Sequence, residues 1–395
     1  MTIWMRMAQL CFLWGLLNSP VYSALADPGI TEKSIRLGQS AAIDGPAKRL
    51  GTGMRDGLLA AFKEINDRGG VGGRRLELVT LDDGYEPERA IQNTHILIDQ
   101  EKVFAVAGGV GTPTSQVIES ILSPQKVPYI GAFTGAEVLR HPYKRYVVNV
   151  RPSYFQETEE MIRYLVNHKR YDRIGILYQD DSFGRAGLDG VVRALKKRNL
   201  QLVSEETYKR NTVAVKRAVL EIKGADADAV ILVGTYQPLS TYIRLCRELG
   251  LKPEFMALSF VGSEALADEL GKDGAGVLIT QVVPFPFDGG RKIVQSYKSA
   301  IRSFSPEILP GYTSFEGYIV GRLIGKTLSD ISPAITREGF INSIVSQKEI
   351  MIDDLTLTYG AEDNQGLDQV YTTIIGKDGK TQSYHYGTGG HDGHH

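Results

Sequence analysis

Two stretches of this chain set hydroxyls and backbone amides where a small anion could be held. In 104–115 (FAVAGGVGTPTS) an apolar run passes into a Gly/Thr loop, with Gly111 and Thr112 just ahead of a helical pattern at 113–122. Unpaired amides at a helix start, together with hydroxyls, form a natural cradle for a carboxylate or phosphate. The competing reading is ordinary capping of that helix by Thr112 or Thr114. The second stretch, 131–136 (GAFTGA), follows the next strand and offers Phe133, Thr134 and Gly135. Adjacent strands ending in such loops aim donors at one point, which is more specific than either loop alone. Further along, Phe183 in YQDDSFG and Tyr236 in GTY also follow strands, where an aromatic ring can close over a ligand's apolar part. Packing against the neighbouring helix competes with that role for each ring. Ser259, in LSFVG after a later strand, supplies another hydroxyl.

Other motifs fail on spacing. Gly51-x-Gly53-x-x-x-Gly57, with Asp82 or Asp83 after the next strand, imitates a dinucleotide fingerprint. That fingerprint needs its third glycine one residue earlier and a tight turn directly after the strand. Gly321-x-x-x-Gly325-Lys326-Thr327 is one spacer short of a phosphate loop and lies in a helical pattern. No G-x-S-x-G, H-E-x-x-H or C-x-x-C occurs, and four of the seven histidines fall in the last eleven residues. His95, His141 and His168 have no evident partner, so a secreted α/β hydrolase is the distant alternative and a non-enzymatic binding protein the favoured class. No cofactor and no functional metal site are expected.

The elements that would position these loops alternate regularly. Strand patterns fall at 35–41, 76–81, 103–107, 127–130 and 146–150, with helices at 53–67, 86–101 and 113–122. The rhythm restarts with a helix at 154–168, strands at 173–178, 200–207, 227–233, 254–258 and 276–282, and helices between them. A helix-rich segment at 290–345 and strand-like runs at 352–359 and 369–375 follow, returning to complete the earlier units. This order implies parallel sheets covered on both faces, in two α/β lobes with a cleft between them. The loop 42–52 is expected on the rim of that cleft.

Composition narrows the setting. Residues 1–26 read as an export signal: Arg6 for charge, an apolar core at 8–17, and Ala24-Leu25-Ala26 before Asp27. The core is too short to span a bilayer, and Cys11 lies inside it rather than after it, so a soluble product without a lipid anchor is expected. Cleavage leaves Cys246 alone, so no internal disulfide forms and the fold must rest on its core. A net charge of −1 argues against nucleic acid or an anionic membrane surface as partner. The Gly/His tail 387–395 is expected to be disordered.

The segments IRLGQSAAIDGP, AAFKEINDRGGVGGRRLELV, YQDDSFGRAGLDGV and ADAVILVGTYQPL, in this order, resemble the substrate-binding proteins of ABC importers, in particular the leucine/isoleucine/valine-binding type with the type I periplasmic binding fold. The resemblance covers nearly the whole exported chain. It implies two α/β lobes joined by three hinge crossovers: 27–150 plus 283–362, and 151–282 plus 363–386. It also implies a periplasmic monomer that captures an amino acid or similar carboxylate by cleft closure and delivers it to an inner-membrane ABC permease. A receptor feeding a membrane kinase is the alternative partner arrangement. Carried over by position, Thr112 with Gly111 holds the carboxylate, and Phe133, Thr134 and Gly135 add contacts. Phe183 closes from the second lobe, and Tyr236 matches a ligand-site tyrosine. Ser259 stands where the family carries a glutamate for the α-ammonium. Either another acid, such as Asp181 or Glu316, replaces it, or the ligand is an amine-free aliphatic or aromatic acid.

Overall fold

A computed structural model describes residues 27–386; the expected export signal and the Gly/His tail lie outside the described residues. Strands β1 (Ser34–Ala41), β2 (Arg75–Asp82), β3 (Ala105–Ala107), β4 (Tyr129–Ile130) and β5 (Val147–Val148) form a parallel sheet in the order β2-β1-β3-β4-β5. A second sheet holds β6 (Ile174–Gln179), β7 (Ser204–Tyr208), β8 (Ala229–Val233), β9 (Glu254–Ala257) and β10 (Leu278–Gln281), all parallel. The run AVILV of β8 is buried at every position, as expected of a strand covered on both faces.

Strands β11 (Glu349–Ile352) and β12 (Leu355–Thr358) pair only with each other, so the run at 352–359 makes a hairpin and does not extend the first sheet. By contrast, β13 (Tyr371–Ile375) and β14 (Thr381–Ser383) do return, as antiparallel strands beside β10, giving the order β14-β13-β10-β9-β8-β6-β7. The chain therefore passes between lobes after β5, after β10 and before β13.

The glycines that imitated nucleotide motifs have a packing explanation. Helices Lys48–Asp67 and Tyr312–Asp330 lie almost backbone to backbone. A Cβ at Gly57 would come within 2.0 Å of the Ser314 carbonyl oxygen, and one at Gly321 within 2.6 Å of the Ala61 Cβ. At Gly325 it would lie 2.3 Å from Ile65 Cδ1. Both motifs are thus two sides of one close helix contact. The same close approach corrects the boundary of the first loop. The helix begins at Lys48, five residues before the expected 53, and Gly51 lets its first turn press on the Ala42 carbonyl.

In each sheet the order reverses beside a central strand, between β1 and β3 in one lobe and between β6 and β8 in the other. Loops leaving those strands diverge and open a crevice, the usual place for a ligand in a doubly wound sheet.

Candidate functional site: a cradle, an aromatic box and a buried charge network

The loops after β3 and β4 are zipped together by backbone hydrogen bonds. Val110 and Phe133 form a parallel bridge, with the Phe133 amide donating to the Gly109 carbonyl (2.8 Å) and the Gly111 amide to the Phe133 carbonyl (3.2 Å). These two amides are consequently spent within the protein, and the hydroxyls carry the cradle. Thr112 and Thr134 place their Oγ1 atoms 2.7 Å apart, fully buried, and Thr134 also donates to the Tyr154 hydroxyl at 3.3 Å. Capping does not explain them, because helix Thr112–Leu122 has no side-chain cap. Thr114 turns back to the Val110 and Gly111 carbonyls and plays a local structural part. Gly111, at φ +96°, leaves room for the Tyr85 ring, which a Cβ would meet at 2.0 Å. Gly135 does the same for Tyr154, whose ring would be 2.6 Å from its Cβ.

Aromatic rings from both lobes meet in front of the cradle. Phe260, in the turn after β9, lies 5.9 Å from Tyr85, 5.4 Å from Phe133 and 4.4 Å from Phe183, centroid to centroid. Tyr154 packs on Phe183 at 5.6 Å. Phe183 is set by local chemistry: Asp181 caps helix Ser182–Lys196 by accepting from the Phe183 and Gly184 amides. Tyr236 stands apart from this box; its hydroxyl meets the Arg49 amide at 3.4 Å, across the cleft.

Behind the box runs a charged network at the first crossing between lobes. Arg151 is completely buried, its guanidinium stacked over Phe133 at 4.1 Å. It donates from Nε and Nη2 to the two carboxylate oxygens of Glu316 (2.8 and 2.6 Å) and from Nη1 to Ser259 Oγ (3.1 Å). Ser259 in turn donates from its amide (3.1 Å) and its hydroxyl (3.0 Å) to Glu157, which also receives the Thr280 hydroxyl. A capping box formed by Ser153 and Gln156 starts helix Tyr154–Ile162 and so points Glu157 into the network. Burial disfavours the Arg151 charge, but Glu316 outweighs it and holds the guanidinium above its ordinary value. Burial likewise raises Glu157, against the pull of Arg151 and its hydroxyl donors. Glu316 and Asp181, the acids considered in place of the family's glutamate, are each already paired with an arginine. Arg151 pairs with the first through both oxygens, while Arg210 Nη1 (3.0 Å), Gln179 Nε2 (2.7 Å) and the helix amides donate to the second.

The lobes are closed on each other. Gln179 donates to the Tyr85 hydroxyl (3.1 Å), Arg210 to Glu86 (2.8 Å), Asn211 to the Gly84 carbonyl (3.1 Å), and Arg49 to Asp268 (2.7 Å). With the cleft shut, Phe260 fills the space before the cradle, and the open volume lies elsewhere. A cavity of about 680 Å³ runs along the rim between the lobes, bounded by Leu50, Gly53, Glu264, Phe285, Ile308 and Leu309. None of the candidate ligand-binding residues named from sequence lines it, although Arg49, Leu50 and Thr52 of the segment 42–52, expected at the rim, do. Its mostly apolar wall lacks the converging hydroxyls, so the cradle is the better candidate.

Of the residues named from sequence, Thr112, Thr134, Gly111, Phe133, Gly135, Phe183, Ser259 and Glu316 lie in or beside this cluster, whereas Tyr236, expected in the ligand site, sits apart against the Arg49 amide. Sequence reasoning did not single out Arg151, Glu157, Tyr85, Tyr154 or Phe260. Phe260 follows Ser259 directly, so its position after a strand was a usable signal. Arg151 had none, since burial of an arginine follows from the crossing geometry. Among the described residues no helix is long and apolar enough to cross a membrane, and no group of three or more His, Cys, Asp or Glu is placed to hold a metal.

Known proteins share this fold. The family model described as periplasmic binding protein matches residues 34–380. A Leu/Ile/Val-binding protein homolog 7 of Brucella abortus (strain 2308) is 26% identical over 371 residues, covering 88% of this chain and 90% of that protein. The leucine-specific-binding protein of Salmonella typhimurium is 23% identical over 273 residues, covering 69% and 73%. The crystal structure of a possible leucine/isoleucine/valine-binding protein from Rhodopirellula baltica SH 1 superposes with a TM-score of 0.85 at 37% identity, covering 89% of this chain and 96% of that one. With two parallel-sheet lobes closed on a cradle, and a family match spanning nearly every described residue, the chain belongs to the periplasmic binding protein family and is a binding protein rather than an enzyme.

Proposed function

We propose that this protein is the exported receptor of an ABC importer and captures a small organic carboxylate between its lobes, for delivery to a membrane permease. Amino acids, named for the relatives from Brucella abortus and Salmonella typhimurium, are the reference members of that ligand class. The observation that carries the reading is the Thr112–Thr134 hydroxyl pair, buried at the ends of adjacent strands and faced by rings from the other lobe. Each hydroxyl can turn its hydrogen toward a carboxylate oxygen once the lobes part. Closure then brings Phe183 and Phe260 over the ligand's apolar part and removes water, so ligand binding shifts an open–closed equilibrium toward closed. A thermal-shift screen of small carboxylates tests this, because a ligand bound only by the folded state at about 100 times its Kd adds about 2.7 kcal/mol. Stabilisation by acids but not by the matching alcohols is the expected result; stabilisation by sugars or other neutral solutes alone would remove the carboxylate reading.

A further inference from the structure

We infer that the ligand is an aryl carboxylate, its ring carried close to the acid group, because aromatic rings from both lobes wall the space before the cradle and already hold one phenyl ring among them. The inference deepens the carboxylate-receptor reading and rests on it. It applies equally to acids with and without an amine.

Five buried rings stand around the two threonines: Tyr85 and Phe133 from the first lobe, and Tyr154, Phe183 and Phe260 from the second. The backbone of the cradle is cut back to receive two of them. Gly111, next to Thr112, takes the Tyr85 ring where a Cβ would meet it at 2.0 Å; Gly135, next to Thr134, takes Tyr154 at 2.6 Å. Phe133 precedes Thr134 directly. Aromatic surface therefore begins beside each hydroxyl, and a ligand held by its carboxylate meets it within the first few atoms. Phe260 shows what this surface accepts. Its ring lies 5.9, 5.4 and 4.4 Å from Tyr85, Phe133 and Phe183, at interplanar angles of 41°, 39° and 48°. At such tilts one ring turns part of its positive edge toward another's negative face, the arrangement that aromatic pairs prefer. A saturated ring lacks that quadrupole and gains only from the area it buries. Two walls are braced from outside the box: Arg151 stacks on Phe133 at 4.1 Å, and the Tyr85 hydroxyl accepts from Gln179 at 3.1 Å. A phenyl group seated on the cradle takes up these ring contacts, with Phe260 moved onto its outer side. Phenylacetate and 3-phenylpropanoate represent the class.

Pairs that differ only in saturation of the ring test this by isothermal titration of the full-length protein. They are phenylacetate against cyclohexylacetate, 3-phenylpropanoate against 3-cyclohexylpropanoate, and phenylalanine against cyclohexylalanine, with 2-phenylethanol as a neutral control. The saturated partner is the more hydrophobic, so buried area by itself favours it. In at least one pair the aryl acid is nevertheless expected to bind about tenfold tighter or more, through its ring–ring contacts. Equal or tighter binding of every saturated partner would overturn the inference while leaving the carboxylate receptor standing. Binding of 2-phenylethanol as tightly as phenylacetate would remove the carboxylate reading instead. Binding of none of these compounds would overturn the aryl inference, and the wider screen of carboxylates would then decide the receptor reading. Phe260→Leu, with its fold verified by circular dichroism, keeps an apolar side chain but removes the ring at the centre of the box. It should cut the aryl preference by about threefold or more; an unmoved preference would contradict the role given to Phe260. Should that variant not fold, the wild-type pairs still decide.

Discussion

Arg151–Glu316 and Arg49–Asp268 are both arginine–carboxylate pairs that tie one lobe to the other. The first has side chains 0% and 2% exposed, the second 42% and 67%. Arg151 donates to both oxygens of Glu316, stacks on Phe133 and reaches Ser259, whereas Arg49 makes a single contact at the rim. Removing one partner of a buried pair strands the other charge in a poorly solvated site, while a rim pair returns to water at little cost. The buried pair therefore fixes the geometry of the crossing, and the rim pair only biases closure.

The largest expected effect breaks the buried pair. Arg151→Ala should destabilise the protein by about 3–5 kcal/mol in urea denaturation, from the uncompensated Glu316 carboxylate; a loss below about 1 kcal/mol would place this pair with the rim pair. Next comes the cradle. Thr112→Ala should weaken binding of the preferred acid by about 1–3 kcal/mol in calorimetry, leaving one carboxylate oxygen short of a donor. Unchanged affinity would detach Thr112 from the ligand.

A third test concerns the rim in another way. Glu264 accepts from the Tyr312 amide across the lobes at 3.0 Å, and desolvation pushes its carboxyl from 4.5 up to about 7. The folded state thus holds this proton more tightly than the unfolded chain. Its contribution is fully present below about pH 4.5 and is lost as pH rises through about 7. Buried Asp83, raised to about 6, acts in the same direction. Wild-type melting temperature should accordingly fall relative to that of Glu264→Gln between pH 4.5 and 7; parallel curves would remove Glu264 from that slope. The smallest effect is Arg49→Ala, within about 1 kcal/mol for an exposed pair and weaker still in high salt. A larger, salt-independent loss would mean that the rim contact is buried in solution.

The same contrast explains what was legible in the sequence. Parallel strands buried on both faces announce themselves by apolar runs such as AVILV, and the loops that follow them carry the cradle residues in recognisable Gly/Thr clusters. Two elements were misread for tertiary reasons. Gly51 and Gly53 look like loop residues, yet they sit in a helix whose close contacts exclude a side chain. The run at 352–359 has strand character, but its partner is the short Glu349–Ile352 segment beside it in sequence rather than the first sheet. In the site, Arg151 and Glu316 lie 165 residues apart. No local pattern joins them, since their pairing depends on the chain turning inward at the crossing just where helix Tyr312–Asp330 arrives. Phe260 differs: it sat in a recognised loop and was passed over because its neighbour Ser259 offered more obvious chemistry.

The central claim is that a ligand carboxylate lies on the Thr112–Thr134 hydroxyl pair, in front of the buried Arg151–Glu316 pair. A crystal structure of the complex with the most stabilising acid of the thermal-shift screen tests it most directly. Both Thr112 Oγ1 and Thr134 Oγ1 should lie within about 3 Å of carboxylate oxygens, with Phe260 displaced onto the ligand and Arg151 still paired with Glu316. A ligand found instead in the rim cavity between Leu50, Phe285 and Leu309, with the two threonine hydroxyls still bonded to each other, would contradict the account.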